Sequence, residues 1–530
     1  MAASALTRTH CQTSRTRRAA RAAARWGENF SNQADFVPCG RSGARSELSR
    51  RRTILAREEK PRESRRKRRE RRTESPVRGF AEPFMPDSNR RRLRCAAGCP
   101  RLRPTPRPDD VRWSGDHWSI VEDAVPAGHR HPRRGRRTLI AWPGYHSGLS
   151  LASFDRRVVG AIAKPLADAR ADSQMISAAL DAGMGVVLPG ETWRNQLPRG
   201  HKKRAGAFAQ LASHRPGMRL DPEARRFSAS FAERLAVDNL DEQLRAGATL
   251  VTTAAHVHDR EAGEGRQNDL QLARLTAEEF AARRAFAPAP GRRGRRELYA
   301  TLIVQGLHAA NPRTVEWLAS AYAGLEGVDG YWIVAVNTTK SAKQLRGYTR
   351  LALQLERLSE RPTVLSGVGD PHLAFLASGL AATCAGLYGM NFKFPPDELD
   401  SDGEDEPTRL AVHTYHRDLL GNSGPLGPEG DALRVALFHN RPCGCPHHAP
   451  DRPPLGRSAI IRHNSWCIQA DAHAFATPAV PTAEAHLSDR LAQAARNRSF
   501  HGLTPLPTGF AAVAVEAARL RGGESEISDG

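Results

Sequence analysis

Cys443 and Cys445 stand one residue apart, His448 follows three residues later, and His463 arrives after a proline-rich turn. Two thiolates and two imidazoles complete the tetrahedral shell of a zinc ion, and the Cys-x-Cys-x-x-His spacing brings three donors around one centre. Four protein ligands leave no position for water, so this zinc is expected to be structural, stapling irregular chain that lacks a core of its own. His447 and His473 stay open as the alternative imidazoles, and Cys467 is a spare thiol. Cys95 and Cys99, far upstream, have no ordered histidine partner.

A second set of reactive residues sits where apolar runs stop. ATLIVQ (300–305) ends at Gln305 with His308 just beyond, and YWIVAV (331–336) runs into Asn337 and Lys340. TVLSGVG (363–369) precedes Asp370 and His372, and CAGLYGM (384–390) precedes Asn391 and Lys393. Upstream, MGVVLPGETWRNQLP (184–198) places Glu191, Arg194 and Asn195 after a short apolar run, and GATLVTTAAHVHDR (247–260) ends in His256 and His258. Carboxylates at such places suit acid–base or nucleophilic work, which singles out Glu191 and Asp370. His256, His258 and His308 with Asp370 would instead suit an open metal site, the constellation of a metal-dependent hydrolase. The same residue types also cap helices and satisfy loop backbone.

The elements that must position these residues are legible as a repeat. Short apolar runs alternate with segments of helical character, among them SQMISAALDAG, TVEWLASAYAGL and QLRGYTRLALQLERL, the pattern of βα units around a parallel sheet. RTLIAW (137–142) adds a first strand, which makes seven, and VALFHN (435–440) is the expected eighth. The expected fold is α/β, a (β/α)8 barrel of the TIM type, whose active site lies in the loops after the strands.

Charge divides the chain. Residues 1–140 carry 35 of the 79 Lys and Arg but 15 of the 57 Asp and Glu, so nearly all of the net charge of +22 lies there. Tracts such as RESRRKRRERR (62–72) repel one another and offer little apolar surface, which predicts a disordered Arg-rich arm over 1–136. Such an arm attracts nucleic acid; equally, it reads as an over-extended start, with Met85 as initiator. The expected order is then the barrel over 137–396 and an acidic connector with the last barrel elements over 397–440. A zinc-binding subdomain over 441–500 and a C-terminal helix and tail over 501–530 complete it. PPDELDSDGEDEP (395–407) carries seven carboxylates without the register of a calcium loop. No run reaches the roughly 18 apolar residues of a membrane span, and eight cysteines in 530 residues favour a reducing cytoplasm. Neither a G-x-G-x-x-G nor a Walker loop is present.

Three motifs, in order along residues 298–470, carry a resemblance. IVQG (303–306), GVGDP (367–371) with its helix ending ASGLAAT, and Cys-x-Cys-x-x-His followed by His463-Asn464 are similar to motifs of the tRNA-guanine transglycosylase family. Its archaeosine and DNA-acting relatives share them. The resemblance implies a zinc-bearing barrel that exchanges guanine for a 7-deazaguanine base in tRNA or DNA. It implies that Gln305 reads the base edge, with Asn337 or Asn195 assisting, and that His448 stands where the family has its third cysteine. Two departures bear on activity. The family's nucleophilic aspartate falls near Cys384, and its early Asp-Ser-Gly-Gly segment has no counterpart, although Glu191 lies at a comparable strand end. A non-catalytic nucleic-acid-binding protein is the remaining expectation.

Overall fold

The computed structural model describes residues 132, 137–142, 154–197, 206–214, 226–258, 263–286, 296–336, 341–386, 414–422 and 428–522. All belong to one compact unit of the chain. The expectations for the basic arm up to residue 131, for the acidic segment 395–407, and for Asn337, Lys340, Asn391 and Lys393 lie outside the described residues.

Eight strands close into a parallel barrel in sequence order: β1 Thr138–Trp142, β2 Val159–Ala163, β3 Gly185–Val187, β4 Leu250–Thr252, β5 Glu297–Gln305, β6 Gly330–Val336, β7 Thr363–Ser366 and β8 Ala382–Gly386. β8 pairs back on β1 in a continuous register from Thr138 opposite Ala382 to Trp142 opposite Gly386. The helices between strands are α1 Ser173–Asp181, α2 Ala229–Arg245, α3 Glu264–Phe286, the single turn α4 Gly306–Ala309, α5 Pro312–Ala323, α6 Ala342–Ser359 and α7 His372–Ala377. The (β/α)8 fold is therefore the observed one.

The strands form because both faces are covered. Inward side chains Ile140, Ala163, Val187, Leu250, Ile303, Val334, Val364 and Cys384 meet in the barrel, while residues between them pack beneath the helices. That double burial gives near-continuous apolar runs instead of alternating ones. Lys164, directly after β2, is buried and pairs with Asp172 at 2.7 Å, tying that strand end to the start of α1.

One expected strand is corrected. VALFHN is not a strand: it ends α8, Pro428–Asn440, and the missing strand is β2, VGAIA. In that helix Leu437 and Phe438 are buried while Val435 is exposed, a one-sided pattern that suits a helix and not a barrel strand. The barrel accordingly closes by Gly386, and the stretch 397–440 adds no barrel strand among the described residues.

The chain after the barrel forms a hairpin, β9 Tyr415–His416 with β10 Gly421–Asn422, then α8, α9 Arg457–Ala476, α10 Val480–Phe500 and α11 Gly509–Gly522. α9 lies against α7 and β1, and α11 lies along α6, where Arg350 and Glu516 pair at 3.0 Å. No described helix is long and apolar enough to cross a membrane.

The GVGDP segment has a backbone reason for its glycines. Gly367 has φ +82°, and a Cβ there would lie 2.3 Å from the Ala335 carbonyl oxygen on β6. The left-handed conformation costs roughly 1–2 kcal/mol for other residues, and forced overlap typically adds about 1–3. Gly367→Ala is expected to lower stability by about 2–4 kcal/mol, read as a drop in the urea midpoint without a change in slope.

Candidate functional site

The four metal-ligating residues expected from the sequence converge. Ligand atoms of Cys443, Cys445, His448 and His463 all lie within 4.8 Å of one another, an arrangement that could hold a metal ion. The turn after α8 brings three of them in, closed by the Cys443 N–H donating to Pro450 O at 2.8 Å and the Cys445 N–H donating to Cys443 Sγ at 3.4 Å. α9 supplies the fourth. Nδ1 of His463 lies 2.9 Å from His448 Nε2, 3.3 Å from Cys445 Sγ and 3.7 Å from Cys443 Sγ. A tetrahedral shell with metal–sulfur bonds near 2.3 Å and metal–nitrogen bonds near 2.05 Å has edges of about 3.3–3.8 Å, so the sulfur–nitrogen separations are close to fit and the two imidazoles would move apart by about 0.4 Å.

The tautomer of His463 follows from its other nitrogen. Nε2 meets Tyr415 O at 2.7 Å, and a carbonyl only accepts, so Nε2 carries the proton and Nδ1 presents its lone pair. Asn464 completes the grip: its Oδ1 accepts the Tyr415 N–H at 2.8 Å. The His-Asn pair thus clamps both polar groups of one residue in β9. Phe438 packs against the rings of His416, His448 and His463 at 4.9–5.5 Å between centroids. Cys445 and Cys467 hydrogen-bond toward Cys443, which pushes the Cys443 thiol down and holds the other two up.

A separate pocket opens at the carboxyl ends of the strands, a narrow cleft with about 420 Å³ of space not filled by atoms when the open solvent at its mouth is counted. Trp142 from the end of β1, Trp193 from the turn after β3 and Trp332 from β6 line it, with Glu191, Thr301 and Ser366. Glu191 is the one carboxylate in this lining among the described residues. It sits at φ 49°, left-handed for a non-glycine residue, and pairs with Arg194 at 2.9 Å, both side chains buried. Arg194 in turn lies over the rings of Phe208, at 4.0 Å, and Trp193, at 4.8 Å. Strain of this kind costs on the order of 1–3 kcal/mol and persists only where surrounding structure imposes it. Here the neighbour Gly190 is packed so closely on α2 that a Cβ would lie 2.0 Å from Asn239 Oδ1. Thr301 Oγ1 is buried in the pocket lining without a hydrogen-bond partner among the described residues.

The other expected site residues are dispersed. Asn195 is buried and donates to Ser213 O at 2.8 Å, away from the pocket lining. Gln305 ends β5 and donates to His258 O at 2.8 Å. Asp370 lies between β7 and α7 and interacts with Arg498 of α10; its Oδ2 is 3.9 Å from where a Cβ on Gly421 would stand. Asn337 is outside the described residues. Cys384 is buried in the barrel, and burial pushes its thiol up.

The hydrolase constellation does not assemble. Asp269 of α3, fully buried, accepts from His256 Nδ1 at 2.7 Å and pairs with His258 Nε2 at 2.8 Å, so one carboxylate takes both imidazoles. His308 instead faces Arg266, with Nδ1 at 3.4 Å. Among the described residues, His256, His258, His308 and Asp370 form no metal-holding group. Sequence reading missed the three tryptophans and Asp269. The tryptophans left a signal, since Trp332 alternates with the inward-facing Val334 and Val336, and Trp142 and Trp193 sit at strand exits.

No protein-family model matches the chain, and no curated protein matches it. Among solved structures it is similar to the carboxyl transferase domain of Rhizobium etli pyruvate carboxylase with 3-hydroxypyruvate, at 11% identity and a TM-score of 0.27. That match covers 73% of this chain and 61% of the other, so the chain spans less than two thirds of it, and so loose an overlay carries no argument.

Two outcomes follow from this geometry. Purified chain is expected to hold about one metal ion, measured by elemental analysis, and Cys443→Ser to lose it and to open residues 441–476 to protease. Asp269 is the pH-sensitive element. Burial alone would raise its pKa, but His258 and His256 outweigh that and hold it well below the ordinary carboxylate value. A depressed folded-state value means the stabilisation is fully present above about pH 4 and is lost as pH falls toward the folded value. Asp269→Asn should therefore cost about 3–5 kcal/mol at pH 7, and its deficit against the parent should shrink by pH 3 in urea titrations; a constant deficit would refute the charged pairing.

Proposed function

We propose that the chain is a transglycosylase-like barrel that takes a planar purine-type base between the indoles of its mouth, with exchange of that base in tRNA or DNA as its reaction. The observation that carries this reading is the pocket lined by Trp142, Trp193 and Trp332, with Glu191 as its one carboxylate among the described residues. Flat, sequence-tolerant stacking on aromatic faces is how proteins hold an unstacked base. Base exchange needs a carboxylate to attack or stabilise the sugar carbon, and acid–base help for the departing base. Glu191 is the group placed to supply it, and Gln305, at the end of β5, belongs to the same rim of strand ends. Asp370, beside Arg498, is a structural neighbour of the C-terminal helices in this reading.

The metal is zinc in this proposal. Two thiolates and two neutral imidazoles make an uncharged shell with a divalent ion, and a d¹⁰ ion accepts tetrahedral geometry without preference of its own. It supplies no chemistry to the mouth; it fixes the turn after α8 against α9. The free thiols suit a reducing compartment such as the cytoplasm.

One observation favours a second reading, binding without turnover. Cys384, near which the resemblance would put the nucleophile, is buried, and burial pushes its thiol up. Two assays on the same preparation separate the readings. Tryptophan fluorescence is expected to quench saturably with guanine or 7-deazaguanine, and Trp142→Ala to weaken that binding roughly 5- to 150-fold, the worth of about 1–3 kcal/mol of stacking. Labelled guanine is expected to enter tRNA or DNA, and Glu191→Gln to abolish entry while leaving quenching intact. Quenching without incorporation selects the binding protein; no quenching by either base removes the base-binding reading.

A further inference from the structure

The thiol of Cys467 lies beside the metal-holding cluster without being one of its four members. On α9 it stands one helical turn after His463, and both are fully buried. Its Sγ is 4.0 Å from Cys443 Sγ and 3.7 Å from each ring nitrogen of His463. Cys443 Sγ is itself 3.7 Å from His463 Nδ1. Those three separations, 4.0, 3.7 and 3.7 Å, are close to one face of a tetrahedral metal–thiolate shell, whose edges are about 3.6–3.8 Å.

Beside Cys443, Cys445 and His463 there are thus two candidates for the fourth donor. One is His448, on the open side; the other is Cys467, on the inner side. The two differ in how firmly they are held. His448 sits in the turn between α8 and α9, half-buried, with Nδ1 against its own neighbour Ala449 O at 2.7 Å. Cys467 is carried by a helix and needs only its single χ1 rotation to turn from the flank of the His463 ring toward Nδ1.

Charge separates them as well. The two-thiolate shell with a divalent ion is neutral, whereas three thiolates leave one negative charge. The surroundings of Cys467 can meet that charge. Arg417 and Arg490 both reach the buried Asp471 Oδ1, at 2.8 and 3.3 Å, so two guanidinium groups stand close by. Arg417 also interacts with Cys467 itself.

We propose that Cys467 is a reserve ligand: when His448 leaves the ion, Cys467 takes its place and converts a two-thiolate, two-imidazole centre into a three-thiolate, one-imidazole centre without release of the metal. The proposal rests on the reading of Cys443, Cys445, His448 and His463 as a metal centre. Its consequence is that the open side of the centre can lose its histidine to solvent or to a partner while the staple between the α8 turn and α9 stays closed.

The test uses the full chain loaded with zinc or with cobalt(II), whose sulfur-to-metal charge-transfer absorption rises with each bound thiolate. His448→Ala is expected to keep about one metal per chain and to gain charge-transfer intensity over the parent. Cys467→Ser is expected to keep the metal with the parental spectrum, and the double variant to lose it. Loss of metal from His448→Ala to the same extent as from Cys443→Ser would overturn the proposal, as would a changed spectrum in Cys467→Ser, which would make Cys467 a resting ligand. His448→Gln, which keeps the volume of the side chain, repeats the experiment if the alanine variant fails to fold by circular dichroism. A parent chain that binds no metal refutes the centre itself and this inference with it, whereas a metal-binding parent with a metal-free His448 variant refutes the reserve ligand alone.

Discussion

The pairing of β8 back onto β1 is the constraint on which the rest of this structure depends. Five residues of β1 run in register with five of β8, and this ladder turns a row of parallel strands into a closed ring with no free edge. Closure aims Ile140 and Cys384 into one interior and brings the exit of β1, at Trp142, to the rim where the other strands end. It also gives the C-terminal chain a surface to cover. Helix α9 rests on β1 and α7, and Gln469 on α9 accepts the Asp155 N–H at 2.6 Å, so the segment after the barrel is held by the seam that closes it.

The C-terminal segment shows how a weak local core is compensated. Its turns are rich in proline, so local propensity does little to fix them. Polar clamps from α9 do more of the work: His463 and Asn464 hold the Tyr415 backbone, and Asp471 receives the Tyr415 hydroxyl and Arg417. Buried groups of this kind are costly when left unpaired, by about 1–3 kcal/mol each, which makes the arrangement specific as well as stable. The four donors around His463 Nδ1 complete the same logic, since a buried lone pair facing two sulfurs and a second imidazole needs a proton or a cation.

At the mouth, packing and recognition use the same side chains. Trp193 and Trp332 are almost wholly buried and fill the ring, yet each also shows a face to the pocket. The nearby ionisable groups are partnered internally: Glu191 with Arg194, Asp269 with His256 and His258, Lys164 with Asp172. What the pocket offers is therefore mostly aromatic surface and hydroxyl groups, a setting that favours a flat, weakly charged ligand over a strongly anionic one.

The sequence by itself determined the fold class and marked the segment whose thiols and imidazoles could hold a metal, while the fold chose His448 and His463 over His447 and His473. Fold class and segment are written locally: βα alternation repeats within a few tens of residues, and Cys443, Cys445 and His448 lie within one turn, so spacing alone brings them together. The sequence was ambiguous where a short apolar run fits either a strand or a helix face, which is why VALFHN reads as a strand although VGAIA is the one in the ring. Only the tertiary structure decided the mouth. Trp142, Trp193 and Trp332 are separated by some fifty and some hundred and forty residues, and they meet because closure brings the inward-facing Trp332 of β6 beside the exits of β1 and β3. In the same way Asp269, eleven residues beyond His258, removed both histidines from candidacy, because a buried carboxylate must be paired wherever the fold puts it. Spacing along the chain sets what neighbours in sequence can do together; the burial of charge and the closing of a ring are properties of the whole fold.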